Sequence, residues 1–209
     1  MLFDCDGVLV DSEYLSTNAL NIVFENEFNI DIGRDYTPVI GTSLATALKY
    51  YLDLHHIKEF DLDDLKLKKE EAYFQQAKER LRSFDGCDEF LTLVKKKGLK
   101  IAVASSGSHE KINFSLTTTG LKNYFEIFCS ADDVMKGKPA PDLFIAAASK
   151  VGVSPEKCIV IEDSVNGIKA AKEAKMYAIG FLGSFDQQTL LQAGADLVVN
   201  GYKNLIELF

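Results

Sequence analysis

The stretch that decides the fold is the first thirteen residues, MLFDCDGVLVDSE, from Met1 to Glu13. Two aspartates, Asp4 and Asp6, end a short apolar run, and Gly7 follows them directly. Residues i and i+2 of an extended strand point to the same side, so the sequence predicts that both carboxylates reach one site. Glycine lets the chain turn sharply at the end of a strand. Converging carboxylates there suit a divalent cation and a carboxylate nucleophile, although an ordinary Asp-Gly turn has the same residues.

The first strand has little room in front of these aspartates. Only Met1, Leu2 and Phe3 precede Asp4, whereas a strand usually has about five or six residues. We therefore expect either an unusually short first strand or a sequence that lacks a few native residues.

Composition narrows the class of protein. The chain has 209 residues, of which 47% are hydrophobic and 26% charged, which is ordinary for a globular protein with one sizeable core and a smaller second one. The net charge of -8 argues against a nucleic-acid partner. No apolar stretch approaches the roughly 18 residues that span a bilayer, and no signal peptide is visible. We expect a monomer without a membrane partner.

The positions of the cysteines and histidines also indicate an ordinary globular protein without a structural metal site. The histidines lack the spacing of a structural zinc site, and the cysteines are scattered without a CxxC pair. This pattern predicts reduced, mostly buried thiols in a cytoplasmic protein. The residues concerned are Cys5, Cys87, Cys129, Cys158, His55, His56 and His109.

Two patterns divide the chain. Residues 12–83 show helical periodicity in three segments that begin near Ser12, Leu44 and Asp61, with a break at Gly41-Thr42-Ser43. After residue 84, apolar runs alternate with helical stretches, which predicts a parallel sheet covered on both faces. The all-helical block is then an insertion between the first strand and the rest. The predicted strands cover 101–104, 124–129, 158–161, 177–181 and 197–199; the predicted helices cover 88–97, 109–119, 142–150, 165–175 and 187–193, with a last one from Leu205.

Polar residues follow most of the predicted strands, at the edge where ligands bind in open α/β sheets. The serines from Ser105 to Ser108 follow the second strand and form a candidate anion site, although Ser108 also suits a helix N-cap. Lys138 lies in a loop stiffened by Pro139 and Pro141.

A pair of acids, Glu162 and Asp163, follows the strand CIVI. Adjacent carboxylates after a buried strand are costly unless they are paired or bind a metal. Together with Asp4 and Asp6 they would repel one another, whereas Mg²⁺ and a phosphate make the charges complementary.

Four motifs in order carry a family resemblance: DCDGVLVDS, the serine after IAVA, GKPAPDLF and VIEDSVNGIKAA. Together they resemble the haloacid dehalogenase superfamily, in its phosphatase and sugar-phosphomutase branch with a helical cap. The resemblance extends from residue 2 to about residue 200. It implies an α/β fold with a Rossmann-like parallel-sheet core (residues 1–11 and 84–209) and an inserted α-helical cap (residues 12–83).

The resemblance also implies roles for the two aspartates. Asp4 is the nucleophile that becomes an aspartyl phosphate, and it also binds Mg²⁺. Asp6 is the general acid and then the general base, and its backbone carbonyl ligates Mg²⁺. Because Asp6 has to be protonated in the first step, we expect its pKa to be raised relative to that of Asp4.

Other site residues follow from the same resemblance. Ser105 and Lys138 are catalytic residues that hold the transferring phosphoryl group, and Ser106 is placed beside them in substrate binding. Glu162 and Asp163 complete the Mg²⁺ site. The cofactor is therefore Mg²⁺, and the partner is a small phosphorylated metabolite.

The cap is expected to select the substrate. The break at Gly41 places Thr42 and Ser43 as substrate-binding candidates, although an N-cap explains them equally well. Ser16 and Leu44 stand where the similar β-phosphoglucomutases carry a cap-hinge histidine and a cap arginine, which weakens the mutase interpretation. A dehalogenase would leave Asp6 and the Glu162-Asp163 pair unexplained, and a phosphonate hydrolase would lack Asp6.

The sequence thus predicts a Mg²⁺-dependent phosphatase acting through an aspartyl phosphate, on a sugar phosphate such as 6-phosphogluconate. The alternatives are a sugar phosphomutase of the β-phosphoglucomutase type and a catalytically silent interaction module. We also expect the cap to open and close about its two covalent crossings to the core.

Overall fold

The structure is a computed structural model of the chain and describes residues 1–33 and 35–209. The helices are α1 (Glu13–Phe28), α2 (Leu44–Leu54), α3 (Leu62–Arg80), α4 (Cys87–Lys96), α5 (His109–Thr118), α6 (Asp142–Val151), α7 (Val165–Glu173), α8 (Gln187–Ala193) and α9 (Tyr202–Leu208). The strands are β1 (Leu2–Phe3), β2 (Ala102–Ala104), β3 (Phe128–Cys129), β4 (Ile159–Glu162), β5 (Tyr177–Phe181) and β6 (Leu197–Val199). Short 3₁₀ turns cover Lys122–Tyr124, Ala131–Asp133 and Pro155–Lys157.

The described strands form one parallel sheet in the order β3-β2-β1-β4-β5-β6. The first strand therefore lies in the middle, with Phe3 paired to Val103 on one side and to Ile161 on the other. The strand order reverses between β1 and β4, and ligands bind at such a switch in open α/β sheets. The predicted α/β fold with a Rossmann-like parallel sheet is confirmed.

Apolar residues cover both faces of the sheet. Because side chains alternate along a strand, Phe3 packs into one buried cluster and its neighbour Leu2 into the other. Helices α4 and α5 contribute to the Phe3 cluster, whereas α6 and α7 contribute to the Leu2 cluster. This double coverage explains why the strands of the sheet read as nearly continuous apolar runs.

The helical block between β1 and α4 has a buried cluster of its own. Leu20 and Phe24 of α1 pack there against Leu48 and Leu52 of α2. Two chain crossings connect the block to the sheet, and they run side by side. Asp11 N donates to Arg82 O at 2.9 Å, and Val10 forms an antiparallel bridge with Ser83. These features support the division into core and cap, and we use both terms below for the residue ranges given above.

Local capping explains where several helices begin. The side chain of Asp61 accepts hydrogen bonds from Asp63 N and Asp64 N at the start of α3. Ser108 in the same way accepts from Lys111 N at the start of α5. Such side chains satisfy backbone donors that the first helical turn leaves without partners.

Three sequence-based predictions of local structure are wrong in detail. The strand expected over 124–129 covers only Phe128–Cys129, because Tyr124 N and Phe125 N bond back within a 3₁₀ turn. The last helix begins at Tyr202 rather than Leu205. Strand β1 ends at Phe3, so Asp4 and Asp6 lie in the following loop rather than in an extended strand.

The prediction of buried, unpaired thiols is confirmed. The four cysteines are buried and free. Within the described part of the chain, no helix has both the length and the apolar character needed to cross a membrane.

Candidate active site

A cleft lies between the carboxyl edge of the sheet and the helical cap. The core side contributes charged and hydroxyl side chains, and the cap side contributes apolar side chains together with a similar number of polar and charged ones. The residues around it are Asp4, Asp6, Glu13, Ser16, Thr17, Leu20, Val39, Ile40, Gly41, Thr42, Leu44, Ala47, Lys69, Glu70, Ser105, Ser106, Gly107, Ser108, Lys111 and Asp163.

A buried lysine joins two of the predicted carboxylates. Lys138 Nζ lies 2.6 Å from Asp4 Oδ1 and 2.7 Å from Glu162 Oε1, and it also donates to Ala104 O at 3.2 Å. Asp4 directly follows β1, whereas Ala104 ends β2 and Glu162 ends β4, and these three strands are adjacent in the sheet. The loop before α6 therefore places one cation at the centre of the acidic group, where it neutralises one of the negative charges.

Three carboxylates converge beside this lysine. Oxygens of Asp4, Glu162 and Asp163 lie within 4.8 Å of one another, and all three residues are buried. Burial raises the pKa of Asp4 to about 8 although Lys138 opposes the rise. Burial, followed by the charge of Glu162, raises the pKa of Asp163 well above its usual value. The group therefore has more negative charge than Lys138 alone compensates, and its hard oxygen donors fit a divalent cation such as Mg²⁺.

Two glycines allow the acidic group to pack this tightly. Gly7 has φ = +75°, and a Cβ there would lie 2.2 Å from Asp163 Oδ2. A Cβ on Gly167 would lie 1.7 Å from Glu162 Oε1. Real side chains never approach so closely, so the two carboxylates keep their positions only because these residues lack a side chain. Glu162 Oε2 in addition accepts from Ser164 N at 2.6 Å.

The side chain of Asp6 takes different partners from those of Asp4. Its Oδ2 lies 2.7 Å from Lys111 Nζ, and its Oδ1 accepts a hydrogen bond from Ser12 Oγ. Burial raises the pKa of Asp6, but the charge and hydrogen bond of Lys111 outweigh burial, so that the net shift is downward. The two shifts thus run opposite to the expected order, since Asp4 has the raised pKa and Asp6 the lowered one. Both carboxylates contact a lysine, but burial and the charges of Glu162 and Asp6 outweigh the effect of Lys138 on Asp4.

The serines after β2 divide into two settings. Ser105 is buried, and its Oγ accepts from Gly107 N at 3.1 Å, so the loop curls around its hydroxyl. Ser106 Oγ donates to Gly41 O of the cap at 3.0 Å. Both line the cleft, and Ser106 at the same time holds the cap against the core.

The two cap candidates also differ in their contacts. Thr42 lines the cleft, and its Oγ1 donates to Val39 O at 2.7 Å. Ser43 caps α2, since its Oγ accepts from Thr46 N at 3.2 Å. The structure thus shows the N-cap alternative for Ser43, and contact of either residue with a substrate stays a prediction.

Main-chain contacts dock the cap loop on the core. Asn166 Nδ2 donates to Ile40 O at 3.3 Å, next to the Ser106 bond to Gly41. Gly41 has φ = +76°, and a Cβ there would lie 2.2 Å from Ser164 Oγ. The loop therefore reaches the core only because residue 41 is a glycine.

Two lysines of the cleft were not predicted from the sequence. Lys111 belongs to the first turn of α5, and Lys69 belongs to a cap helix rich in Lys and Glu. The position of Lys111 three residues after the N-cap Ser108 was the available signal, because a first-turn side chain can face the same edge as its cap. Lys69 has no such signal, since α3 carries several lysines of similar spacing.

Comparison with known proteins identifies the family of the chain. Residues 1–181 match the family model described as haloacid dehalogenase-like hydrolase. A phosphorylated carbohydrates phosphatase from Thermotoga maritima is 32% identical over 206 residues, which cover 95% of this chain and 93% of that protein. The crystal structure of a hydrolase from Pseudomonas syringae has a TM-score of 0.88 and 30% identity, and covers 100% of this chain and 97% of its own.

A longer relative also matches. The chloroplastic protein SUPPRESSOR OF QUENCHING 1 from Arabidopsis thaliana is 38% identical over 209 residues. This alignment covers 98% of the present chain but 20% of the plant protein. The present chain is thus similar to one portion of that larger protein.

Proposed function

The chain belongs to the haloacid dehalogenase-like hydrolase family and is a phosphoric monoester hydrolase, and we propose that it acts on a sugar phosphate with Mg²⁺ as cofactor. The observation that carries the proposal is the buried convergence of Asp4, Glu162 and Asp163 beside Lys138. The name of the Thermotoga relative supports a phosphorylated carbohydrate as the substrate class, and 6-phosphogluconate is our candidate.

The proposed reaction begins at Asp4. One of its carboxylate oxygens attacks phosphorus, a bond from oxygen to phosphorus forms, and the ester bond to the leaving oxygen breaks. Asp6, once protonated, gives its proton to that leaving oxygen. In the second step Asp6 accepts a proton from water, whose oxygen attacks phosphorus and frees Asp4. A carboxylate nucleophile thus divides the hydrolysis into two easier displacements.

The surrounding residues would neutralise and position charge. Lys138 is already in contact with Asp4 and would stay beside the phosphoryl group, while Ser105 would donate a hydrogen bond to it. Asp4, Glu162 and Asp163 would hold Mg²⁺, together with the backbone carbonyl of Asp6. The cation would supply charge neutralisation for the nucleophile and the phosphate oxygens.

A phosphomutase is the second candidate, and the cleft disfavours it. Ser16 and Leu44 both line the cleft at the positions where the mutases carry a histidine and an arginine. Neither side chain supplies the positive charge that a second phosphate requires, and Lys69, which contacts Ser16, lies near the opposing charges of Glu13 and Glu70. We therefore favour hydrolysis over internal transfer.

Phosphate release from a panel of phosphorylated metabolites and p-nitrophenyl phosphate tests the proposal. We expect release to need Mg²⁺ and to stop with EDTA. Metal-independent hydrolysis at full rate contradicts the metal site. Isomerisation of a sugar phosphate that needs a bisphosphate activator and releases no net phosphate contradicts the hydrolase proposal in favour of a mutase.

We further propose that the chain acts as a monomer in the cytoplasm. The buried free thiols support a reducing compartment. Light scattering coupled to size-exclusion chromatography tests the first statement, and fractionation of source cells tests the second.

A further inference from the structure

One buried cation of the cleft has no role in the reaction described so far. Lys69 of the cap is only 5% exposed. Its Nζ donates to Ser16 Oγ at 2.8 Å and lies 5.4 Å from the centre of the Tyr73 ring. Among the residues that the structure describes, no carboxylate forms an ion pair with it. Burial and then the charge of Lys111 lower the pKa of Lys69 to about 7, which reflects how poorly the protein alone compensates this ammonium group.

A second buried lysine faces the same ring from the core. Lys111 Nζ lies 4.8 Å from the centre of Tyr73, which is bonded in turn to α5 by a contact of 3.0 Å between its hydroxyl and Ser115 Oγ. The two lysines thus flank one aromatic ring where the cap meets the core, and both line the cleft. Buried lysines are rare unless paired, and only Lys111 has a carboxylate partner, Asp6.

We propose that Lys69 and Lys111 form a subsite for a carboxylate carried by the leaving group of the substrate. This inference rests on the proposed phosphatase function and narrows its substrate class to phosphorylated hydroxy acids, including phosphorylated sugar acids. Lys69 supplies the cation that lacks a partner, and Lys111 can donate to the carboxylate while it keeps its contact with Asp6, because an ammonium group has three donors.

The position of Lys111 next to Asp6 indicates that this subsite contacts the leaving group of the substrate rather than the transferred phosphate. In the proposed reaction Asp6 touches the leaving oxygen, and Lys111 touches the other oxygen of the same carboxylate. Two hydrogen bonds and one carboxylate separate Lys111 from the leaving oxygen, a span of up to roughly 7.5 Å. A chain of roughly three to six carbons can bridge that span.

The charges around the subsite favour a carboxylate over a second phosphate. Glu13 and Glu70 line the cleft close to Lys69, and Asp6 lies beside Lys111. These acids oppose a dianion more strongly than a monoanion. Lys69 is the one lysine of the pair without a carboxylate partner, and its single positive charge matches the single negative charge of a carboxylate.

The experiment compares pairs of esters that differ only in the carboxylate. The pairs are 6-phosphogluconate with glucitol 6-phosphate, and 3-phosphoglycerate with glycerol 3-phosphate. For the wild-type protein we expect kcat/KM to be higher for the carboxylate member of at least one pair, by about 10-fold to 100-fold, as charged hydrogen bonds typically contribute. Fructose 1,6-bisphosphate with fructose 6-phosphate forms a third pair, for which we expect no such preference.

Variants of Lys69 test whether this cap lysine causes the preference for carboxylate-bearing esters. Lys69→Met should reduce the carboxylate preference, measured as the ratio of kcat/KM within each pair, to within about threefold of unity, and Lys69→Arg should restore part of that ratio. Lys66→Met is the matched control, because Lys66 lies one turn away on the same helix, is exposed and pairs with Asp63. Inhibition by free gluconate, compared with free glucitol, gives a readout that does not need turnover.

The outcomes separate this inference from the proposed function. Absence of Mg²⁺-dependent hydrolysis of any ester, p-nitrophenyl phosphate included, overturns the proposed function itself. An active wild-type protein without carboxylate preference, or with a preference that Lys69→Met keeps, overturns the subsite alone. A preference confined to the bisphosphate also overturns it, since that result assigns the cleft to a second phosphate.

Discussion

The two walls of the cleft are built differently. On the core side, Asp4 lines the cleft and contacts Lys138, which also contacts Glu162, and all three residues are buried at the carboxyl edge of the sheet. On the cap wall, Leu20 and Leu44 leave an apolar surface, and the contacts of the docking loop with the core run through main-chain carbonyls.

This difference indicates that the core wall carries out the reaction and that the cap wall selects the substrate. Charges that are fixed by mutual contacts within one rigid sheet can neutralise a phosphate and a cation whatever the rest of the substrate is. Main-chain carbonyls hold the cap loop without depending on most of its side chains, so that those side chains can vary with the leaving group. We therefore expect changes in the core wall to affect every substrate alike and changes in the cap wall to affect substrates unequally.

The largest effect is expected at the nucleophile. Asp4→Asn keeps the shape of the side chain but removes the attacking carboxylate, so hydrolysis of all esters should fall by at least about 1,000-fold. Initial rates with several sugar phosphates and p-nitrophenyl phosphate measure this, and thermal unfolding checks that the fold is kept. If the Asp4→Asn variant retains a few per cent of the wild-type activity, Asp4 is not the nucleophile.

A smaller effect, again equal for all substrates, is expected at the cation site. Asp163→Asn removes one charged ligand, so the Mg²⁺ concentration for half-maximal activity should rise on the order of 100-fold. Asp186→Asn is the control, because Asp186 is an exposed N-cap of α8 that accepts from Thr189 N. Equal metal requirements for the two variants would speak against Asp163 as a ligand.

Docking of the cap loop is tested by a pair of glycines. Gly41→Ala should lower kcat/KM by about 10-fold, because the new Cβ would collide with Ser164 and hold the cap away from the core. Gly33→Ala has the same left-handed backbone, with φ = +79°, but apart from its chain neighbours no described residue has an atom within 4 Å of the new Cβ. The two variants therefore share a backbone cost of roughly 1–2 kcal/mol and differ only in the contact. If both lower activity equally, close docking of this loop is not needed.

The smallest effect concerns specificity. Thr42→Val keeps the shape but loses the hydroxyl at the cleft, so we expect ratios of kcat/KM among sugar phosphates to change by a few-fold, about what one hydrogen bond contributes. Ser43→Ala should instead lower the free energy of unfolding by about 1 kcal/mol through the lost cap of α2, with unchanged ratios. Urea unfolding and substrate panels measure both, and a uniform change for all substrates would refute the role of Thr42.

The core could be predicted from the sequence much better than the cap. Strand periodicity and polar residues after successive strands located Asp4, Ser105, Lys138 and the acid pair, because parallel strands bring their carboxyl ends to one edge. The partner of Asp6 could not be predicted in this way, since Lys111 reaches it from the next helix. Lys69 was missed because helical periodicity predicts which residues of α3 share a face. It does not predict which residues of the core that face contacts.

The central claim is that Asp4 carries the phosphoryl group between the two steps. The most direct test uses Asp6→Asn with p-nitrophenyl phosphate, whose leaving group departs without a proton, so that this variant should slow only the release of phosphate from the protein. The reaction is quenched with acid during turnover. Borohydride reduction followed by peptide mass spectrometry should convert Asp4, and no other residue, to homoserine. An active wild-type protein whose variant shows the modification at another carboxylate, or at none, would contradict the claim.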